Sequence, residues 1–276
     1  MRSLVSIGLI SALGLSRCPS EAAPAAAQGP SARASARAPA ASANLPAPSA
    51  PALLYLGEDA GAQELPPPAP SSEPPKAAAA RRACRVAALG DSLTDYRSGG
   101  GGYLRVLEKR CPESEFVNYG KGGDMLNQMR RRFEAEVLAE PASRFTHLIV
   151  FGGVNDLYSD ETALRTPAKM QRDLTAVYQA ARARGWRVVA ITVAPWGGFA
   201  KWFTPRRSAA TSEINAWIKA SPADSVVDAH ALLSCGDPER LCAEYSPPFK
   251  DGLHFGKKGH EKLGDALYEA EFQRCL

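Results

Sequence analysis

"VAALGDSLTD", Val86 to Asp95, is a short apolar run that ends in Gly-Asp-Ser. An apolar run of that length, closed by turn-forming residues, reads as a buried strand. Ser92 then sits just past the strand's carboxyl end, where open α/β sheets bind their ligands. A serine at such a place is either a turn residue or a nucleophile. The second reading demands a base, an orienting acid and oxyanion donors elsewhere in the chain.

Working outward, strand-length apolar runs alternate with helical patterns. "CRVAALG" is followed by the helical "GYLRVLEKRC", and "EFVNYG" is a second strand. Leu126, Met129, Phe133 and Val137 recur at three- and four-residue steps, so a helix follows, with Asp124 as its expected cap. "FTHLIVFGG" and "WRVVAITVA" read as the third and fourth strands. Met170, Leu174, Val177 and Ala181 mark the helix between them, stopped by Gly185. "RRSAATSEINAWIKA" is helical, "DSVVDAH" is a short fifth strand, and a last helix runs from about Lys258 to Cys275. Near-continuous apolar strands alternating with helices argue for a parallel sheet covered on both faces. The expected fold is α/β: a three-layer α/β/α sandwich on a five-stranded, mainly parallel sheet.

That fold places four blocks at one rim. They are Gly90-Asp91-Ser92-Leu93, then "NYGKGGD" with Gly123 five residues after Asn118, then Gly153-Val154-Asn155-Asp156, then Asp251-Gly252-Leu253-His254. The chemistry asks for these residue types. A serine hydroxyl attacks poorly until a base accepts its proton, and His254 can be that base. Asp251, three residues earlier, can fix the imidazole's tautomer and stabilise its charged form. A tetrahedral oxyanion needs preorganised donors, for which the Ser92 amide, the Gly123 amide and the Asn155 side chain are candidates. Four such blocks in order resemble the GDSL, or SGNH, hydrolase family over essentially all of residues 81–276. The resemblance implies a flavodoxin-like sheet and ester hydrolysis through an acyl-enzyme. It implies Ser92, His254 and Asp251 as catalytic residues and Ser92, Gly123 and Asn155 as the oxyanion hole. No cofactor and no metal are implied. A G-x-S-x-G elbow is absent from the sequence.

After the fourth strand comes "APWGGFAKWFTPRR". Trp196, Phe199 and Trp202, with Tyr158, are candidate substrate-binding residues, stacking on a sugar ring or holding an acyl chain. The competing reading is a lid that buries its own aromatics. The remaining histidines carry structural readings. His147 lies within a strand, His230 follows the fifth strand without a partner, and His260 packs or caps at the start of the last helix.

The rest of the chain speaks to location. In residues 1–18, Arg2 precedes an apolar core from Leu4 to Leu15, the pattern of an export signal and too short to span a membrane. Cleavage in "EAAPAAAQ" is one expected ending. Lipid attachment at Cys18 is the other, since "LSRC" resembles a lipoprotein signal, although Arg17 departs from it. Residues 19–80 hold thirteen of the 22 prolines and few large apolar side chains. They read as a disordered Ala/Pro/Ser-rich tether. Residues 81–276 suit one domain with a sizeable core.

That domain carries 28 basic and 24 acidic residues, too even a balance to argue for nucleic acid, and "MRRRFEAE" reads as a solvated helix face. The six cysteines lack zinc-ligand spacing. In an exported protein disulfides are expected, with Cys235–Cys242 the best pair. Cys84–Cys111 is a second, leaving Cys275 free or paired instead with one of those two.

The functional expectation is an exported serine esterase acting on a small-molecule, lipid or carbohydrate ester. Deacetylation of a cell-wall or extracellular carbohydrate is one form of it. A lipase, lysophospholipase or thioesterase is the alternative. The rival of another class is a surface-anchored binding protein without turnover, against which the intact Ser92, Asp251 and His254 speak.

Overall fold

The computed structural model describes residues 81–276. The export segment, the tether and Cys18 lie outside the described residues. The elements run β1 (Arg85–Gly90), α1 (Gly102–Arg110), β2 (Glu115–Gly120), α2 (Leu126–Arg132), β3 (His147–Phe151), α3 (Val154–Tyr158), α4 (Pro167–Ala183) and β4 (Arg187–Ile191). There follow α5 (Pro205–Ala220), β5 (Ser225–Val227), α6 (Ala229–Leu233), β6 (Ser234–Cys235), β7 (Asp237–Leu241) and α7 (Lys257–Ala270).

Five strands form one parallel sheet in the order β2-β1-β3-β4-β5. β1 lies between β2 and β3, with Val86 beside Phe116 on one side and His147 on the other. Its residues from Val86 to Gly90 are all buried, as are all five of β3. Each large apolar side chain so buried stabilises the fold by about 1.5–3 kcal/mol. α1 packs on α7, whereas α2 packs on α4 and α4 on α5. Right-handed crossovers therefore put α1 and α7 on one face and α2, α4 and α5 on the other. The chain leaves β1 toward β2 and later returns to β3 on β1's other side. The carboxyl ends of β1 and β3 thus flank the point where strand order reverses, the place such sheets offer a ligand.

The expected fold is the observed one, with local differences. Asp124 does not cap α2. Its carboxylate takes a charge-assisted bond from Arg132 Nε at 2.7 Å, while Gln128 Oε1 accepts the Met125 amide at 2.8 Å. After Arg132 the helix continues as a π-helical turn, Phe133–Val137. α4 and α5 open alike, on Thr166-Pro167 and Thr204-Pro205. Each threonine hydroxyl accepts an amide of the first turn, from Lys169 and Arg207, and each proline stands where no amide bond is lost. α3, α6 and the β6–β7 hairpin are not expected from the sequence, because they are too short to show a period.

Cys84 is joined to Cys275, not to Cys111. The chain end runs beside the start of β1, where Arg82 donates to the Arg274 carbonyl and Leu276 to the Arg82 carbonyl, each at 3.0 Å. That pairing brings Cys84 and Cys275 within 5.4 Å, Cα to Cα. Cys111 remains a buried free thiol. Cys235 and Cys242 are joined across the β6–β7 hairpin.

Candidate active site

The serine loop begins at Gly90, where the chain folds back on its own strand. A Cβ on Gly90 would sit 2.1 Å from Thr94 Oγ1, so only glycine permits the turn. The Asp91 carbonyl accepts the amides of Thr94 and Asp95 at 3.1 and 2.9 Å. Asp91 Oδ1 accepts the Leu93 amide at 3.0 Å. These bonds leave the Ser92 amide without an acceptor among the described residues and its side chain half-buried at the rim.

The Asp251–His254 loop approaches from the other end of the chain. Asp251 Oδ1 accepts the amides of Leu253 and His254, both at 2.9 Å. Its Oδ2 lies 2.6 Å from His254 Nδ1, and His254 Nε2 lies 2.9 Å from Ser92 Oγ. Nδ1–H donating to the carboxylate leaves Nε2 to accept the serine proton. Burial opposes the ionisation of Asp251. The bonds from the His254 ring and the two amides outweigh it and hold the carboxyl below its ordinary range. The unit can move a proton from Ser92 to His254 and keep the resulting imidazolium paired.

Gly123 and Asn155 come to the same rim. Gly123 has a φ of +82°, with open space where a Cβ would be. The neighbouring Gly122 amide is held by Asp95 Oδ2 at 3.1 Å, whereas the Gly123 amide has no acceptor among the described residues. Asn155 opens α3 and is buried. Its Nδ2 donates to the Asp124 carbonyl at 2.9 Å and faces Asp91 Oδ2 at 3.5 Å. Asp156 fixes the helix that carries it. Asp156 Oδ2 accepts the Leu126 amide at 2.8 Å, and Oδ1 is bound by Arg165 at 2.5 Å. Arg165 reaches on to Asp173 at 2.6 Å.

The aromatic residues divide. Trp196 is 1% exposed, donates from Nε1 to Thr211 Oγ1 at 3.0 Å and meets Phe203 edge-on at 4.8 Å. It belongs to the core and not to a substrate wall. Tyr158 packs against Phe199 at 5.9 Å and Trp202 at 6.2 Å, and Trp202 is 37% exposed. This trio borders the rim on two counts. Tyr158 lies three residues, almost one turn, beyond Asn155 on α3, and the Gly198 backbone packs directly on that of Gly252. Phe249 is a residue the sequence reading misses. Its ring lies 5.5 Å from the His254 ring and touches the backbone at Gly99. Its position two residues before Asp251 is the one signal the sequence offers.

The model of the GDSL-like lipase/acylhydrolase family matches residues 88–262, from β1 into α7. The chain belongs to this family. Family membership makes it an ester-bond hydrolase. Solved structures agree on the fold. A member of the lipolytic G-D-S-L family from Veillonella parvula DSM 2008 is 17% identical with a TM-score of 0.56, covering 68% of this chain and 98% of its own. The lipase/acylhydrolase from Enterococcus faecalis is 21% identical with a TM-score of 0.52, covering 67% and 94%. A GDSL-like lipase from Bacteroides thetaiotaomicron VPI-5482 is 19% identical with a TM-score of 0.50, covering 67% and 86%. No curated protein matches the chain.

Proposed function

We propose that this GDSL-family hydrolase is an exported serine esterase that removes a short acyl group, such as acetate, from a carbohydrate. The hydrogen-bonded line from Asp251 through His254 to Ser92 carries the reading. Ser92 Oγ attacks the ester carbon as its proton passes to His254 Nε2, and Asp251 pairs the imidazolium. The oxyanion is held by the Ser92 and Gly123 amides and by Asn155 Nδ2. As the intermediate collapses, the alcohol leaves with the proton from His254. Water then attacks the acyl-enzyme, giving its proton to His254, and the acid departs as Ser92 regains it.

The carbohydrate reading is supported by the flat, partly open faces of Tyr158, Phe199 and Trp202, with Lys201 Nζ 5.0 Å from the Trp202 ring centre. Aromatic faces of this kind stack on sugar rings. Export is supported by the apolar segment from Leu4 to Leu15 behind Arg2.

The test is hydrolysis of p-nitrophenyl esters from acetyl to palmitoyl by the full chain and by Ser92→Ala, followed by acetylated oligosaccharides. Ser92-dependent turnover that peaks at acetate and extends to sugar acetates is the expected result. A peak at long chains would make the substrate a lipid. No Ser92-dependent turnover on any ester, with no labelling of Ser92 by a fluorophosphonate, would remove the esterase reading.

A further inference from the structure

Asp91 stands beside the nucleophile and has no exposed surface. A carboxylate buried so completely ordinarily has a cation or several strong donors. Asp91 has one short bond, from the Leu93 amide to Oδ1. The groups around it are neutral or acidic. From its own loop come Ser92 and Thr94, and from α1 the Tyr103 hydroxyl, bonded to Thr94 at 3.0 Å. Asp124 stands before α2, and Asp156 lies on α3 beside Asn155. The nearby cations serve other partners. Arg132 binds Asp124 and the Tyr119 and Gly90 carbonyls, and Arg165 binds Asp156 and Asp173. Burial pushes the Asp91 carboxyl up to about 7 against the pull of the Leu93 amide, and the charges of Asp156 and Asp124 add to the rise.

The hydrogen-bond pattern at Asn155 gives this carboxyl a consequence. A side-chain amide has two hydrogens. One is committed to the Asp124 carbonyl at 2.9 Å. The other faces Asp91 Oδ2 across 3.5 Å, too far for a strong bond. It is also the hydrogen an oxyanion would take. A neutral carboxyl leaves it available. An ionised one draws it into a shorter, charge-assisted bond.

We propose that Asp91 is a positioning residue that supports turnover in its neutral form, because on ionising, its Oδ2 captures the second Asn155 amide hydrogen and removes that donor from the oxyanion. The inference rests on the roles given above to Ser92, His254 and Asn155. It joins two residues of different blocks into one pH-sensitive element.

The experiment is kcat for p-nitrophenyl acetate from about pH 5 to about pH 9, measured on the full chain, Asp91→Asn, Asn155→Ala and Ser92→Ala. Asparagine at position 91 keeps an acceptor for the Leu93 amide and, like the neutral acid, carries no charge with which to capture the Asn155 hydrogen. The wild type should lose up to about 100-fold in kcat by the alkaline end, the lower end of the range for one oxyanion donor. That decline should vanish in Asp91→Asn and in Asn155→Ala. No alkaline decline in the wild type, or a decline that persists in Asn155→Ala, overturns the proposal. If Asp91→Asn fails to fold, Asn155→Ala still decides. Turnover retained in Ser92→Ala would instead remove the reading of the site. Turnover lost in Ser92→Ala, with the decline intact in Asn155→Ala, removes only the role of Asp91.

Discussion

His254 Nε2 accepts the Ser92 hydroxyl at 2.9 Å, although 162 residues separate the two in sequence. One follows the first strand of the sheet, and the other precedes its last helix. Ser92→Ala should lower kcat roughly 10⁴- to 10⁶-fold, and Asp251→Asn about 10⁴-fold, since the second variant disturbs the tautomer while leaving the fold intact. Ester hydrolysis and thermal melts on both variants check this. A drop below tenfold in Ser92→Ala with an unchanged melt would place the chemistry elsewhere.

The two remaining oxyanion candidates should fail in different ways. Alanine at Gly123 must adopt φ near +82° but finds open space, so Gly123→Ala should cost about 1–2 kcal/mol of stability while keeping its amide. Asn155→Ala removes the donor itself and should cost about 10²- to 10³-fold in kcat. Parallel denaturation and kinetic measurements separate them. Equal losses of kcat in the two would show that the Gly123 site has no room for a side chain once substrate is bound.

His260 should make the fold acid-sensitive. Its ring lies 4.5 Å from Phe255 and 6.2 Å from Tyr103, and neither nitrogen makes a well-formed hydrogen bond among the described residues. Burial lowers its pKa from 6.5 to about 4, with the Gly99 backbone opposing the shift and the charge of His254 adding to it. The unfolded chain therefore takes up a proton that the folded chain refuses. Stability is full above about pH 6.5 and is lost as the pH falls toward about 4, by at most about 3 kcal/mol. Urea titrations at pH 7 and at the acid end should show a smaller difference for His260→Phe than for the wild type. An identical difference would assign the acid loss to other groups.

Trp196 and Trp202 lie six residues apart and should respond oppositely. Trp196→Ala empties a core site and should cost about 3–5 kcal/mol. Trp202→Ala removes a partly exposed ring and should change stability by no more than about 0.5 kcal/mol while raising KM for a sugar ester. Thermal melts and steady-state kinetics on both decide the point. An unchanged KM in Trp202→Ala would take that ring out of substrate binding.

Much of the fold was legible because its three inner strands are largely buried on both faces and its longer helices repeat a period. "VAALG", "HLIVF" and "VVAI" have no polar alternation because neither face of these stretches of β1, β3 and β4 meets water. α3 and the β6–β7 hairpin were not legible, since five residues or fewer cannot display a helical or alternating pattern. The Asp124 cap fails for a different reason. Capping is a local preference of roughly 1 kcal/mol, and here a guanidinium two turns away, Arg132, takes the carboxylate.

Three sequence blocks at strand ends and a fourth before the last helix were enough to name Ser92, Gly123, Asn155, Asp251 and His254 as one candidate site, because residue type and order along the chain are local properties. Which partner each residue meets was decided only by the tertiary structure. Cys84 meets Cys275 because the last residues of the chain run beside β1. Trp196 turns into the core while Trp202 stays at the rim, although both stand in one loop. Asp91 loses all contact with water and has no cation, since two other carboxylates hold the nearby arginines. Burial, charge pairing and the sharing of a single amide hydrogen depend on segments brought together from distant parts of the chain, and no local pattern of residues encodes them.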